Sequence, residues 1–592
     1  MFLRKTERRK DGKTHLYWSV VENRRLDSGR VVQRHVLYLG EINSSQAEAW
    51  RRAIEVFDED AGAPRSLSLF PDGRCGLPTA DASIVRLRLK EMRLCRPRQW
   101  GACWLAFVLW RELQLDRFWG ERLPASRKGT RWADVLQVLA TYRLIDPGSE
   151  WRLHRQWFLD SAMADLLGSD FGLAEAHKLY ACHDKLLEHK KALFSHLTQR
   201  WRDLFNASFD VLLYDLTSTY FEVNASDLPE DSKRRHGYSR DKRPDCPQLV
   251  IALVVTPEGL PLAYEVLPGN TADSRTLRSF LEKIESQYGK ARRVWVMDRG
   301  VPTEEVLAEM RASEPPVQYL VGTPKGRLNR LEKRLVDKPW RTAREGVEVK
   351  LLAEGDELYV FAQSADRVSK ERAMRRRQLK RLWARLKKLA EMDISREERL
   401  MKLGAARSKA PSAWRLVTTD VDKTTGALTY ALDRKKLRKV RRREGRYLLR
   451  TNLIDDDPAK LWQYYVQLVA VEEAFRNLKG DLAIRPVFHQ DEKRIEAHIF
   501  IAFLAYCLQI TLTRRLHSLA PGLTARSALE KFAAVQMIDV HLPTTDGREI
   551  VLSRFTEPEP DLRLLLDRLK LQLPAQPPPR IAAAALPAQP LL

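Results

Sequence analysis

Residues 206–323 carry a run of short apolar segments in an order that few sheets can accommodate. FDVLLYDLTSTYFEV opens the run as a strand rich in apolar and β-branched residues. PQLVIALVV, a TPEG turn and LPLAYEVLPG follow as a hairpin. The helix SRTLRSFLEKIESQ then leads to the short strand RRVWVMD, the helix TEEVLAEMRAS and the strand VQYLVGT. Three antiparallel strands, a crossover helix and two further strands separated by a helix constrain the fold more than any single element does.

That is the connection order of an RNase H-like core, an α/β arrangement in which the first and fourth strands lie side by side. Asp215 interrupts the first of these strands and Asp298 closes the fourth, directly before Arg299 and Gly300. Two neighbouring aspartates at a buried edge repel, and one of them would protonate. A divalent cation removes the conflict, because magnesium takes hard oxygen ligands and keeps some of its waters. Two such ions about 3.5 to 4 Å apart suit displacement at a phosphodiester. Taken singly, an Asp in a strand is more often a hydrogen-bonded residue, and an Asp before Arg-Gly is more often a turn starter.

A third acid comes from YYVQLVAVEEAFRNLK, residues Tyr464 to Lys479. At about 100° per residue, Tyr464, Leu468, Val471, Phe475 and Leu478 form one apolar helix face. Glu473 lies far from that face. Glu472 projects with Tyr465, Arg476 and Lys479 in a narrow stripe beside it, where a functional acid would sit at the rim of a core among cations. A surface helix with a Glu472 to Arg476 ion pair in the favourable i,i+4 order is the competing reading.

Together these residues resemble the insertion-sequence DDE transposases whose third motif is Y-x2-R-x3-E-x6-K. Tyr465, Glu472 and Lys479 fill that motif, Leu468 stands in the arginine's place, and Arg476 on the same stripe is the substitute. YDLTSTYFE is similar to the first aspartate block and VMDRG to the second. GYSRDKRPDCPQLVIALVV, LPLAYEVLPGNTADSRTL and VEEAFRNLKGDLAIRPVFH are similar as well, and the resemblance covers roughly residues 1 to 520.

The resemblance implies a DNA transposase working by cut-and-paste. Water attacks at the transposon end to free a 3′ hydroxyl, and that hydroxyl is then used on target DNA. It implies two Mg²⁺ ions, with Mn²⁺ able to replace them, held by Asp215, Asp298 and Glu472. Tyr465, Arg476 and Lys479 would place the end of the double-stranded DNA, and a homodimer would form on it. It also implies a core interrupted by a largely β insertion. In relatives that pass through a hairpin, an insertion-domain Trp stacks on a flipped base. Trp340 and Trp414 are the candidates here, a packed core Trp being the commoner role. A non-catalytic DNA-binding repressor of the same stock, or a stand-alone RNase H-like nuclease, would share these features.

The rest of the chain fits a polyanionic partner. Lys and Arg outnumber Asp and Glu by 102 to 78, for a net charge of +24. The basic run RRRQLKRLWARLKK offers Arg375, Arg376, Arg377, Lys380 and Arg381 as phosphate contacts, or is merely a solvated helix face. The expected organisation, of α+β multidomain class, is a basic β region at 1–62, a DNA-binding helical region at 80–205 and the core's first part at 206–323. A mostly β insertion at 324–452, the core's second part at 453–520, a helical region at 521–573 and a disordered Pro/Ala-rich tail at 574–592 complete it. IFIAFLAYCLQITL reads as a buried helix too short to span a bilayer. The N-terminus lacks the apolar stretch of a secretory signal. Six scattered cysteines without C-x-x-C pairs argue against a zinc module and for reduced thiols in a cytoplasm.

Overall fold

The computed structural model describes the backbone of five strands before residue 69 and then residues 87–582. Excepted are 170, 224–227, 231, 240, 242, 272–277, 279–280, 283, 286–292, 299–301, 324–330, 332–333, 336–337, 454–456, 486, 488 and 546–547. Near the N-terminus, β1 (Phe2–Lys10), β2 (Lys13–Arg25) and β3 (Val31–Glu41) form an antiparallel sheet, and β4 (Ala53–Asp58) pairs with β5 (Ala63–Ser68). The anticipated hairpin is β2–β3; which way its arginines face lies outside the described residues.

After β6 (Arg93–Gln99) come the helices α1 (Gly101–Glu112), α2 (Trp132–Ile145), α3 (Ala176–His183) and α4 (Lys190–Phe205). The chain then enters the central sheet through β7 (Val211–Tyr220), β8 (Gln248–Val255) and β9 (Pro261–Pro268), and returns with β10 (Val294–Met297), helix α5 (Glu304–Ala312) and β11 (Gln318–Gly322). Spatially these five lie in the order β9-β8-β7-β10-β11, with β7 antiparallel to β8 and parallel to β10. This is the RNase H-like order read from the sequence. β8 is buried along its whole length, as expected for a strand covered on both faces.

Residues 341–451 interrupt that core in an unanticipated way. β12 (Arg341–Arg344), β13 (Val347–Glu354), β14 (Glu357–Ser364) and later β17 (Arg446–Thr451) do not form a separate β domain; they extend the central sheet to nine strands. What projects from it is largely helical: α6 (Ala365–Glu391), α7 (Arg396–Lys409) and α8 (Arg434–Arg443), with only the hairpin β15 (Val417–Val421) and β16 (Leu428–Leu432). Leu382, Leu386 and Leu389, spaced to share one face of α6, pack with Leu403, Val417 and Leu428 in a small core of their own.

The second half of the core is α9 (Pro458–Val466), α10 (Leu468–Lys479) and α11 (Glu492–Leu519). The stretch read as one helix from Tyr464 breaks at Gln467, whose carbonyl accepts from Ala470 N at 2.8 Å. α11 is long and apolar enough to cross a membrane, but 94% of its most apolar 18-residue stretch is buried within the protein, as its reading as a core helix requires.

Beyond it, α12 (Ala525–Ala533), β18 (Gln536–Pro543), β19 (Glu549–Phe555) and α13 (Pro560–Leu569) replace the expected all-helical region. β18 pairs with β6 from over 400 residues earlier, and β20 (Arg580–Ala582) adds to β19, so that part of the expected disordered tail is a strand. Residues 583–592 of that tail lie outside the described residues.

Candidate catalytic cleft

Strand register brings the first two acids together. Tyr214 of β7 is level with Met297, the last residue of the parallel strand β10, which brings Asp215 and Asp298, each one residue further on, to the same end of the pair. Asp215 is half-buried in a strand otherwise almost wholly buried, and Asp298 is exposed at the carboxyl end of β10. Carboxyl ends of parallel strands are where open α/β sheets place their sites. Helix α10 crosses β7 and β8 with Val471, Ala474, Phe475 and Leu478 buried beneath it. Its Glu472 is thereby left exposed at the core's rim.

Asp215, Asp298 and Glu472 all line one cleft of about 450 Å³. Among the described residues neither Asp298 nor Glu472 has a hydrogen bond or ion pair. The Glu472 to Arg476 ion pair of the competing reading is not formed among the described residues; Arg476 Nη2 instead bonds Glu473 Oε1 at 2.9 Å. Three carboxylates facing one space, two of them without an ion-pair partner among the described residues, are a hard-oxygen donor set that fits divalent magnesium.

The cleft walls carry cations and rings. Arg344, Arg367 and Arg446 line it, from β12, the first turn of α6 and β17. Arg367 Nε bonds Glu371 Oε1 at 3.1 Å, and Glu371 Oε2 accepts from Gly445 N at 2.9 Å, so the Glu371 carboxylate is a strut between α6 and β17. Tyr447, Trp462 and Tyr465 meet in pairs with ring centroids 5.5 to 5.9 Å apart. Burial raises the Tyr447 phenol above its usual range; Arg367 opposes this, while Glu371 and Glu472 add to it. Negative carboxylates, arginines and flat apolar rings in one cleft suit a ligand with phosphates and bases.

Other sequence candidates fall elsewhere. Of the third-motif residues, Tyr465 and Leu468 line the cleft. Lys479 does not: its Nζ bonds both oxygens of Asp241 at 3.1 and 3.2 Å, and Arg485 bonds Asp241 at 2.8 Å. Arg476 lines a separate cavity together with Glu473 and Arg514. Arg375 is a correction: it is buried, with Nε 2.5 Å from Glu444 Oε1, and so is not available as a phosphate contact. Arg376, Arg377, Lys380 and Arg381 are exposed on α6. Trp340 stacks on Phe361 under Lys350, and Trp414 packs against the small core of the projecting part; neither lines the cleft. The tryptophan that does is Trp462. Sequence reading passed over Trp462, Tyr447, Arg344, Arg367 and Arg446 because none belongs to a motif, and they come from segments remote from one another in sequence.

The sheet order and the gathered acids define an RNase H-like, α+β multidomain protein with a carboxylate site. Residues 210–508 match the family described as Transposase DDE domain, and residues 3–63 match the IS1634 family transposase N-terminal domain. The chain belongs to the transposase DDE domain family and is a DNA transposase of the insertion-sequence kind. No curated protein matches it. Among solved structures, it is similar to the piggyBac transposase synaptic complex with hairpin DNA at 9% identity and a TM-score of 0.35, over 73% of this chain and 79% of that one.

Proposed function

We propose that this transposase cleaves DNA at the ends of its mobile element and joins the freed 3′ hydroxyl to target DNA, with Asp215, Asp298 and Glu472 as the metal ligands. The observation that carries the reading is that these three acids, 257 residues apart from first to last in sequence, line one cleft with arginines on its walls. When bound, a pair of Mg²⁺ ions, or Mn²⁺ in their place, supplies the charge that activates an attacking oxygen and stabilises a leaving one. The protein's own part is to hold the DNA. Arg344, Arg367 and Arg446 take phosphates, Tyr465 lies against the strand end, and the rings of Tyr447 and Trp462 receive a base, since every base has a face to stack. The exposed cations of α6 extend the phosphate track without reading sequence. Arg476 and Lys479 act at its margin, Lys479 from its seat on Asp241. Synapsis of two ends requires two copies of the chain on DNA, met in the cytoplasm.

The test is a labelled duplex carrying an element end, incubated with the protein, Mg²⁺ and target DNA. Wild type nicks the end and joins it. Asp215→Asn, Asp298→Asn and Glu472→Gln each lower nicking by roughly 10²-fold or more while binding the duplex within about twofold. Glu473→Gln, about 100° further round the helix and lining a different cavity, stays active. Binding without nicks by wild type would show a repressor, and nicks without joining a stand-alone nuclease.

A further inference from the structure

Outside the cleft, four titratable side chains that do not line it meet in the interior. Glu150 follows α2 in a short helical turn, His183 ends α3, His489 lies in the loop after α10, and His498 is on α11. All four are between 1% and 7% exposed. One donor atom from each lies within 4.8 Å of all the others. Glu150 Oε1 is 3.3 Å from His183 Nε2, 3.3 Å from His489 Nε2 and 3.6 Å from His498 Nδ1. Donors in a tetrahedral zinc site with ligand bonds of about 2.0 to 2.1 Å stand about 3.3 to 3.4 Å from one another.

The outer nitrogens select the tautomers such a site needs. His183 Nδ1 donates to Leu179 O at 2.9 Å and His498 Nε2 donates to Ile484 O at 3.1 Å. A neutral imidazole that donates from one nitrogen presents a lone pair from the other. Two lone pairs therefore face the Glu150 carboxylate, and His183 Nε2, though buried, has no hydrogen-bond partner. Lone pairs against an anion repel, and either protons or a cation between them relieves this; His489 Nε2 is within hydrogen-bond distance of Glu150 Oε1 at 3.3 Å, while the lone pairs of His183 and His498 are left for a cation. Among the described residues Arg143 is the guanidinium in contact: its Nη2 is 3.5 Å from His498 Nδ1, and its Nη1 is fixed on Ala483 O at 3.1 Å. It lies beside His498, and nothing in its contacts bridges His183 and His489.

We propose that Glu150, His183, His489 and His498 form a closed structural zinc site, separate from the carboxylate cleft. Three imidazoles and one carboxylate are donors for zinc and not for magnesium. Four protein ligands leave no open position, so the ion is structural. It fastens α2 and α3 of the helical region to the loop leaving α10, the helix that carries Glu472.

Elemental analysis of the purified full-length protein tests this without any cleavage assay. About one zinc per chain is expected in wild type and equally in Asp298→Asn, and less than about a tenth of that in a His183→Ala/His489→Ala double variant. Should that variant fail to fold, Co²⁺ titrated into chelator-treated wild type decides, giving visible absorption of tetrahedral intensity at one equivalent. A melting temperature raised by added zinc in wild type accompanies both results. Folded wild type that takes up neither zinc nor Co²⁺ would establish a metal-free cluster of Glu150 with Arg143 and the histidines, and overturn the proposal. Loss of nicking with zinc uptake intact would instead count against the cleft reading alone.

Discussion

Arg375 and Arg376 are adjacent in sequence and occupy opposite environments, which a basic run cannot reveal. Arg375 turns inward onto Glu444, both nearly covered, and Arg376 faces water. Removing one partner of a buried pair leaves an uncompensated charge, so Arg375→Ala should cost about 3 to 5 kcal/mol, measurable by denaturant unfolding. Arg376→Ala or Lys380→Ala should leave stability unchanged and lower the slope of log affinity against log salt by about 1 each. Asp539 responds to pH in a definite direction. Burial pushes its carboxyl up, but the hydrogen bond and charge of Arg98, with Arg96 and Ser553, hold it below the ordinary value. A depressed carboxyl contributes stability that is complete above its unfolded pKa of about 3.9 and fades as pH falls through its folded value. The melting-temperature gap between wild type and Asp539→Asn should thus be full at neutral pH and close below about pH 4.

At the scale of elements, α10 was legible and β17 was not. The apolar positions of α10 recur at helical spacing, which fixes both the buried face and the exposure of Glu472. β17 carries Arg446 and Tyr447 into the cleft only because it joins β11 and β14, two partners distant in sequence. Its entry depends on Gly445, with φ of +70°, where a Cβ would lie 2.3 Å from Val368 Cγ2 and 2.7 Å from Ser364 O. Gly445→Ala should therefore destabilise by roughly 1 to 3 kcal/mol. It should also reduce nicking at temperatures where the fold is intact, because α6 and β17 must separate. Circular dichroism together with the nicking assay separates the two effects. The hairpin β18–β19 escaped sequence reading for a similar reason: its polar alternation acquires meaning only against β6, where Arg98 bridges Asp165 and Asp539.

For the whole molecule, a net charge of +24 predicts binding to DNA that weakens steeply with salt. The proposed synapsis predicts a complex of two chains with two ends, which mass photometry on end-containing duplex would count; a persistent one-to-one complex would exclude it. The sequence by itself determined the order of the core strands and the spacing that turns Glu472 outward, and marked Asp215, Asp298 and Glu472 as candidates, because periodicity and strand-end position are local properties of the chain. Only the tertiary structure decided which acids share a cleft, which arginines are buried, which aromatic rings face the site, and that one glutamate and three histidines, separated by up to 348 residues, meet in the interior. Those are contacts between segments remote in sequence, set by how strands register and helices pack, and no local pattern encodes them.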